Sequence, residues 1–194
     1  MKNLLTQFRL MLIVLVITVV LYPLVVTLVG NAAFPSQAQG SLVKYHGRIV
    51  GSRLLGQAFK SACFFQGRPS AVNYSGYSGA TNYGPTNPEL LKEVKSNLKS
   101  FIKENPGVNI KQIPLNILES SASGEDPDIL PQAAYIQVPR ISRLTGLSSA
   151  ELGHLIAATE HNSFLGIFGP SRVNVLELNL KLADILAYRS GVKC

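Results

Sequence analysis

The chain has 194 residues, with 18 Lys and Arg against 11 Asp and Glu, for a net charge of +7. Lys2 and Arg9 precede the first apolar run, so the remainder carries 16 basic against 11 acidic residues, or +5. No Lys/Arg run is interleaved with aromatics, and the richest stretch, residues 92–103, reads as a solvated helix face. This excludes nucleic acid as the natural partner and leaves anionic lipid or an acidic protein surface.

Residues 10–29, LMLIVLVITVVLYPLVVTLV, form a run of twenty without a charge. A helix of that length spans about 30 Å, the thickness of the hydrocarbon core of a bilayer. Pro23 lies inside the run and is expected to kink it locally, which a membrane helix tolerates. Both early charges sit on the N-terminal side, and no charge returns until Lys44. Positive flanks stay in the cytoplasm, which puts the rest of the chain outside. A cleaved signal peptide is the rival reading. Its apolar region would be shorter, roughly 7–15 residues, and only Ser36-Gln37-Ala38 resembles a cleavage site. The expected organisation is a cytoplasmic tail over 1–9, a transmembrane helix over 10–30 and one extracytoplasmic α+β domain over 31–194, at the cytoplasmic membrane.

Leu42 to Tyr45 and Ile49-Val50 flank His46-Gly47-Arg48, which suggests a hairpin. Residues 54–65 are ambiguous between helix and strand. Residues 67–88 hold four Gly, three Pro and three Asn, a composition incompatible with a regular helix or a central strand. A loop this long inside a compact domain is usually functional or disordered. Its tyrosines, Tyr74, Tyr77 and Tyr83, argue for packing or partner contact. Asn87, Pro88 and Glu89 signal a helix start, and Leu90, Leu91, Val94, Leu98, Phe101 and Ile102 give it an apolar stripe that Asn105-Pro106-Gly107 stops. Residues 108–118 read as extended, interrupted by Pro114. After a polar loop over 120–131, Asp128 is placed to cap a helix through Ala133, Ala134 and Ile136, with Pro139 breaking or kinking it. Ser148 and Glu151 fit a capping box ahead of Leu152, Leu155 and Ile156. Residues 173–188 fit a last helix. Helices and short strands without regular alternation indicate an α+β domain.

Few of these residues carry legible chemistry. There is no Walker sequence, no GxSxG, no CxxC and no HExxH. His154 and His161 share a helix face only if their helix is long enough. Ser78-Gly79-Ala80-Thr81-Asn82 lacks the lysine and spacing of a phosphate loop and reads more readily as a tight turn. Glu125 and Asp126 are adjacent acids that read as turn formers before they read as an acid–base pair. Arg68, held extended by Pro69, pairs either with an acidic partner or within the domain. Cys63 and Cys194 would be free to pair in an outer compartment, but two distant cysteines do not establish a disulfide.

Scattered along most of the chain are Gly51-Ser52, Gly56-Gln57, Phe65 to Ala71, Ser78-Gly79, Asn82, Asn87 to Leu90, Ser121 to Gly124, Asp126, Pro131 to Ala134, Gln137, Pro139-Arg140 and Val173 to Leu180. In this order, behind a single N-terminal span, they resemble the C subunit of the Kdp potassium-transporting ATPase. Ala80-Thr81, Glu125 and Lys181 depart from the pattern, which usually has Gly-Ser, Leu and Ala there. The resemblance implies an accessory subunit that is not an enzyme by itself. It would assemble with a channel-like potassium-translocating subunit and a P-type ATP-hydrolysing subunit. It would act as a catalytic chaperone that raises ATP affinity, ATP entering through the complex rather than through direct binding by this chain. The candidate partner contacts are Arg68, Tyr74, Tyr77, Asn82 and Tyr83, with membrane lipid around the span. The alternative is an anchored extracytoplasmic binding module unrelated to transport.

Overall fold

A computed structural model describes residues 2–188. The chain divides into two units, Met1–Val43 and Lys44–Cys194. The first unit is helical: α1 (Lys2–Leu15), a π-helical stretch (Val16–Leu21), α2 (Tyr22–Ala33) and the short α3 (Pro35–Ala38). Proline has no N–H to donate, and its ring crowds the carbonyl four residues back. The helix absorbs Pro23 by widening just before it, with the Tyr22 N–H bonded to the Ile17 carbonyl, five residues away. Thr18 Oγ1 donates to the Val14 carbonyl at 2.8 Å, so its hydroxyl is satisfied within the helix. Its large apolar side chains are exposed, and Asn3–Ala33 is long and apolar enough to cross a membrane.

The second unit is a mixed helix and strand domain. Strands β1 (Leu42–Tyr45) and β2 (Arg48–Ser52) form the expected hairpin. His46 and Gly47 turn it with φ of +47° and +78°, the left-handed pair that a tight two-residue hairpin loop requires. From there to residue 87 the backbone is turns and irregular chain. Residues 54–65 are thus neither helix nor strand. Helix α4 (Pro88–Glu104) starts as expected, with Asn87 Oδ1 accepting from the Glu89 N–H at 2.9 Å. Its stripe is only partly used: Phe101 is buried and Val94 and Leu98 pack against the core, whereas Leu91 is exposed.

Several expectations fail past α4. Residues 108–118 are not extended. They hold two 3-10 turns, Ile110–Gln112 and Leu115–Ile117, the first capped by Asn109 Oδ1 on the Lys111 N–H at 3.0 Å and the second headed by Pro114. Asp128 caps no helix; it lies in β3 (Asp128–Ile129), and α5 (Pro131–Tyr135) begins at its own proline. Pro139 does not end a helix but sits in the first turn of α6 (Val138–Thr145), where its missing N–H costs nothing. Gly146, φ +72°, closes α6. The Ser148–Glu151 capping box is present at the start of α7 (Ser149–Ala157). Strand β4 (Glu160–His161) follows, then β5 (Arg172–Asn174), which takes the start of the expected last helix, α8 (Val175–Tyr188).

The three short strands form an antiparallel sheet in the order β3-β5-β4, with Ile129 and Glu160 both opposite Val173. Helices α5, α6, α7 and α8 supply most of the core around it, where Ile141, Leu147, Leu152, Ile156, Leu178 and Leu182 are fully buried. His154 is in α7 and His161 in β4, so they share no helix face. The question of a Cys63–Cys194 pair falls on a residue outside the described ones.

Candidate functional site

The residues around Phe65 enter the core without a neighbouring strand. An unpaired buried peptide group costs about 1–3 kcal/mol, and here side-chain amides take the place of a strand. Asn179 of α8 accepts from the Phe65 N–H and donates to the Phe65 carbonyl, both at 2.8 Å. Gln137, just ahead of α6, does the same for Gln66, at 2.8 and 3.1 Å. Phe65, Gln137 and Asn179 are all buried.

Arg140 of α6 completes this set. It is 3 % exposed, and burial pulls its guanidinium below the usual arginine range. Nε donates to Asn105 Oδ1 at 2.9 Å, Nη2 to Gln137 Oε1 at 2.7 Å, and Nη1 to the Ala62 and Phe64 carbonyls. One guanidinium thus ties the end of α4, the start of α6 and the chain leading to Phe65 together through neutral acceptors.

Beyond Phe65 the Gly-rich loop over 67–88 interlocks with the polar loop over 120–131. Arg68 points inward: Nη1 pairs with Asp126 Oδ2 at 2.8 Å and Nε donates to the Asn116 carbonyl at 3.0 Å. Of the two readings the sequence left open for Arg68, the structure takes the internal one. The Tyr74 hydroxyl donates to the Arg68 carbonyl. Tyr74 has φ +53°, unfavourable for a bulky residue, and Ser70 Oγ holds the turn by accepting from the Val72 and Tyr74 N–H groups at 3.3 and 3.0 Å. Burial, and after it the Asp126 and Glu125 carboxylates, push the Tyr74 phenol up to about 12, against an opposing pull from Arg68.

The second loop binds the first through its backbone. The Gly79 N–H donates to the Ser123 carbonyl and the Gly56 N–H to the Glu125 carbonyl, each at 2.8 Å. Glu125, a departure from the family pattern, is buried and accepts from the Gly76 N–H at 2.9 Å. Asp126 Oδ1 meanwhile accepts from the Asp128 N–H at 3.0 Å, so the adjacent acids have separate structural tasks. Lys181, another departure, donates to the Ala158 carbonyl at 2.9 Å and caps the end of α7.

These bonds decide which candidates face outward. Arg68 and Tyr74 are half-buried, while Tyr77 is 78 % exposed and Tyr83 39 %. Asn82, φ +54°, is exposed, and its Nδ2 donates to the Ala80 carbonyl at 3.1 Å. Tyr83 and Asn82 line one cleft of about 420 Å³ with Glu93 and Glu119. A second, of about 260 Å³, contains Arg68, Tyr74 and Glu104.

The loops do not fit a triphosphate. A phosphate cradle needs free backbone N–H groups and a spare cation. Here the Gly56, Gly76 and Gly79 N–H groups are committed to the opposite loop, Arg68 is paired, and Glu125 and Asp126 add negative charge.

Gln137, Asn179 and Arg140 were not among the candidates from sequence. The signal was available: Asn179 sits between Leu178 and Leu182 on the buried face of α8, where an amide is justified only by a specific partner.

One exposed apolar helix followed by a mixed helix and strand domain is the plan of a membrane-associated chain. Comparison with known proteins places it further. The family model for the K+-transporting ATPase c chain, KdpC, matches residues 4–184, and the chain belongs to this family. It is similar to the potassium-transporting ATPase KdpC subunit of Caldanaerobacter subterraneus, at 45 % identity over 89 % of this chain and 90 % of the relative. The KdpC subunit of Clostridium kluyveri is 39 % identical over 95 % of each chain. That of Bacillus cereus is 42 % identical over 89 % of this chain and 90 % of the relative. These matches lend nothing to the alternative of a binding module unrelated to transport.

Proposed function

We propose that this chain is the non-catalytic accessory subunit of an ATP-driven potassium uptake complex. It assembles with a channel-like potassium-translocating subunit and a P-type ATP-hydrolysing subunit. The observation that carries this reading is that one family match runs through both the apolar helix and the domain, residues 4–184, so the two units belong to one family plan. Residues 10–30 form the span, 1–9 the cytoplasmic tail and 31–194 the extracytoplasmic domain, an orientation supported by Lys2 and Arg9 on the N-terminal flank. The outward Tyr77, Asn82 and Tyr83 supply the contact to a partner subunit, while Arg68 and Tyr74 hold their loop in shape from within.

A domain outside the membrane cannot touch a nucleotide bound in the cytoplasm, and the Gly56, Gly76 and Gly79 N–H groups that a cradle would use are already bonded to the opposite loop. The chain therefore raises ATP affinity indirectly, by favouring a pump conformation that binds ATP better. Such coupling is reciprocal and typically about 1–3 kcal/mol, or roughly 5- to 150-fold in affinity. The test measures ATP affinity of the purified complex with the full chain, with the chain cut after residue 40, and without it. The full chain raises the affinity and the truncated one does not. An equal effect from residues 1–40 alone would put the coupling contacts within the membrane and not in the outer domain, and ATP binding by the full chain without its partners refutes the indirect mechanism. Protease added to sealed spheroplasts checks the topology: protection of the domain would reverse it.

A further inference from the structure

Between β4 and β5, residues 162–171 read NSFLGIFGPS, ten residues without a charge. Four large apolar side chains stand in solvent there: Phe164, Leu165, Ile167 and Phe168 are 70, 73, 77 and 61 % exposed. The exposure is built in. Phe164 and Phe168 exchange both backbone hydrogen bonds, at 3.0 and 2.9 Å, and Gly166 and Ile167 donate back to Ser163 and Phe164. The turn is made by Leu165 and Gly166 at φ +54° and +74°. The loop is a closed hairpin tip that holds its apolar side chains away from the core.

We propose that this tip inserts into the interfacial layer of the bilayer and gives the domain a second attachment to the membrane. Three observations favour lipid over a protein groove. No side chain from Phe164 to Phe168 can donate or accept a hydrogen bond, whereas the hot spots of protein contacts are enriched in Trp, Tyr and Arg, each of which can. The tip satisfies four of its five backbone N–H groups, those of Phe164, Gly166, Ile167 and Phe168, within itself, which lowers the cost of entering an apolar medium. The chain also carries its own apolar helix, and the eight residues 34–41 between α2 and β1 reach at most about 28 Å even when extended. Once α1 and α2 are in a bilayer, the domain that carries the tip is tethered to that bilayer, so insertion becomes an intramolecular step. The inference rests on the anchored reading of residues 10–30.

The chain has no tryptophan, so single reporters are clean. Full-length chain with Ile167→Trp is placed in phosphatidylethanolamine/phosphatidylglycerol vesicles carrying nitroxide-labelled acyl chains. Val19→Trp in the helix and Tyr77→Trp in the other loop are measured alongside. The expected result is blue-shifted, quenched emission from positions 167 and 19 and unquenched emission from 77. Quenching at 19 without quenching at 167 overturns the tip inference alone; no quenching at 19 overturns the anchored reading. A blue shift at 167 that appears only when the partner subunits are added makes the tip a protein contact and refutes insertion. Quenching at 167 that survives replacement of Phe164, Leu165 and Phe168 by Ser belongs to the reporter, and refutes it too.

Discussion

Asn179→Asp changes one atom of the clamp on Phe65 and nothing of its size. The carboxyl still accepts from the Phe65 N–H but, ionised, sets an oxygen against the Phe65 carbonyl where the Nδ2 donor stood at 2.8 Å. Phe65 is fully buried and Asn179 is 2 % exposed, so water cannot repair the loss. An unsatisfied buried acceptor costs about 1–3 kcal/mol, and burying an unpaired charge adds several more unless the group protonates. A net loss of about 3–5 kcal/mol is expected at neutral pH, a large share of the roughly 5–15 kcal/mol that stabilises a typical domain. Protonation restores a donor to the Phe65 carbonyl, so the folded state raises the pKa of the introduced carboxyl above its unfolded value of about 4. The deficit is therefore largest at neutral pH and shrinks as pH falls toward that value. Urea unfolding of the full chain in mild detergent, followed by far-UV circular dichroism at neutral and mildly acid pH, measures both effects. Hydrogen exchange of the Phe65 amide gives the local readout. A loss below about 1 kcal/mol with unchanged protection at Phe65 would show that the amide clamp does not hold this segment.

Gly124→Ala is expected to cost more than about 2 kcal/mol and to open residues 67–88 to protease. Its φ is +70°, and a new Cβ would lie 2.6 Å from the Gly79 carbonyl oxygen, a backbone atom with little room to move. For Tyr74, the folded phenol titrates at about 12 against 10 when unfolded, so the neutral hydroxyl's contribution is complete below pH 10 and is lost as pH rises toward 12. Tyr74→Phe removes that alkaline slope, which pH-dependent urea titrations would detect. Tyr77→Ala and Tyr83→Ala, at exposed sites, should change stability by no more than about 0.5 kcal/mol yet weaken co-purification with the partner subunits. Full retention of both variants in the complex would remove this loop from the interface.

Sequence alone determined the features that depend on a few neighbouring residues. The uncharged run over 10–29 had to be a long apolar helix because its composition leaves no other way to satisfy its backbone. The hairpin at His46-Gly47, the Asn87 cap of α4 and the Ser148–Glu151 box were legible because each is a hydrogen-bonding pattern within about four residues. Tertiary structure decided the rest. Strands β3, β4 and β5 are two or three residues long, too short to show an alternating pattern, and exist only because β5 has a partner on each side. Asp128 became a strand residue and Pro139 a helix start for reasons that no local propensity contains. Arg68 had two partners open to it until folding brought Asp126, 58 residues away, within 2.8 Å. The segment around Phe65 had no legible structure because its hydrogen bonds come from side chains 71 and 114 residues away, and a propensity read over neighbours cannot register a partner at that distance.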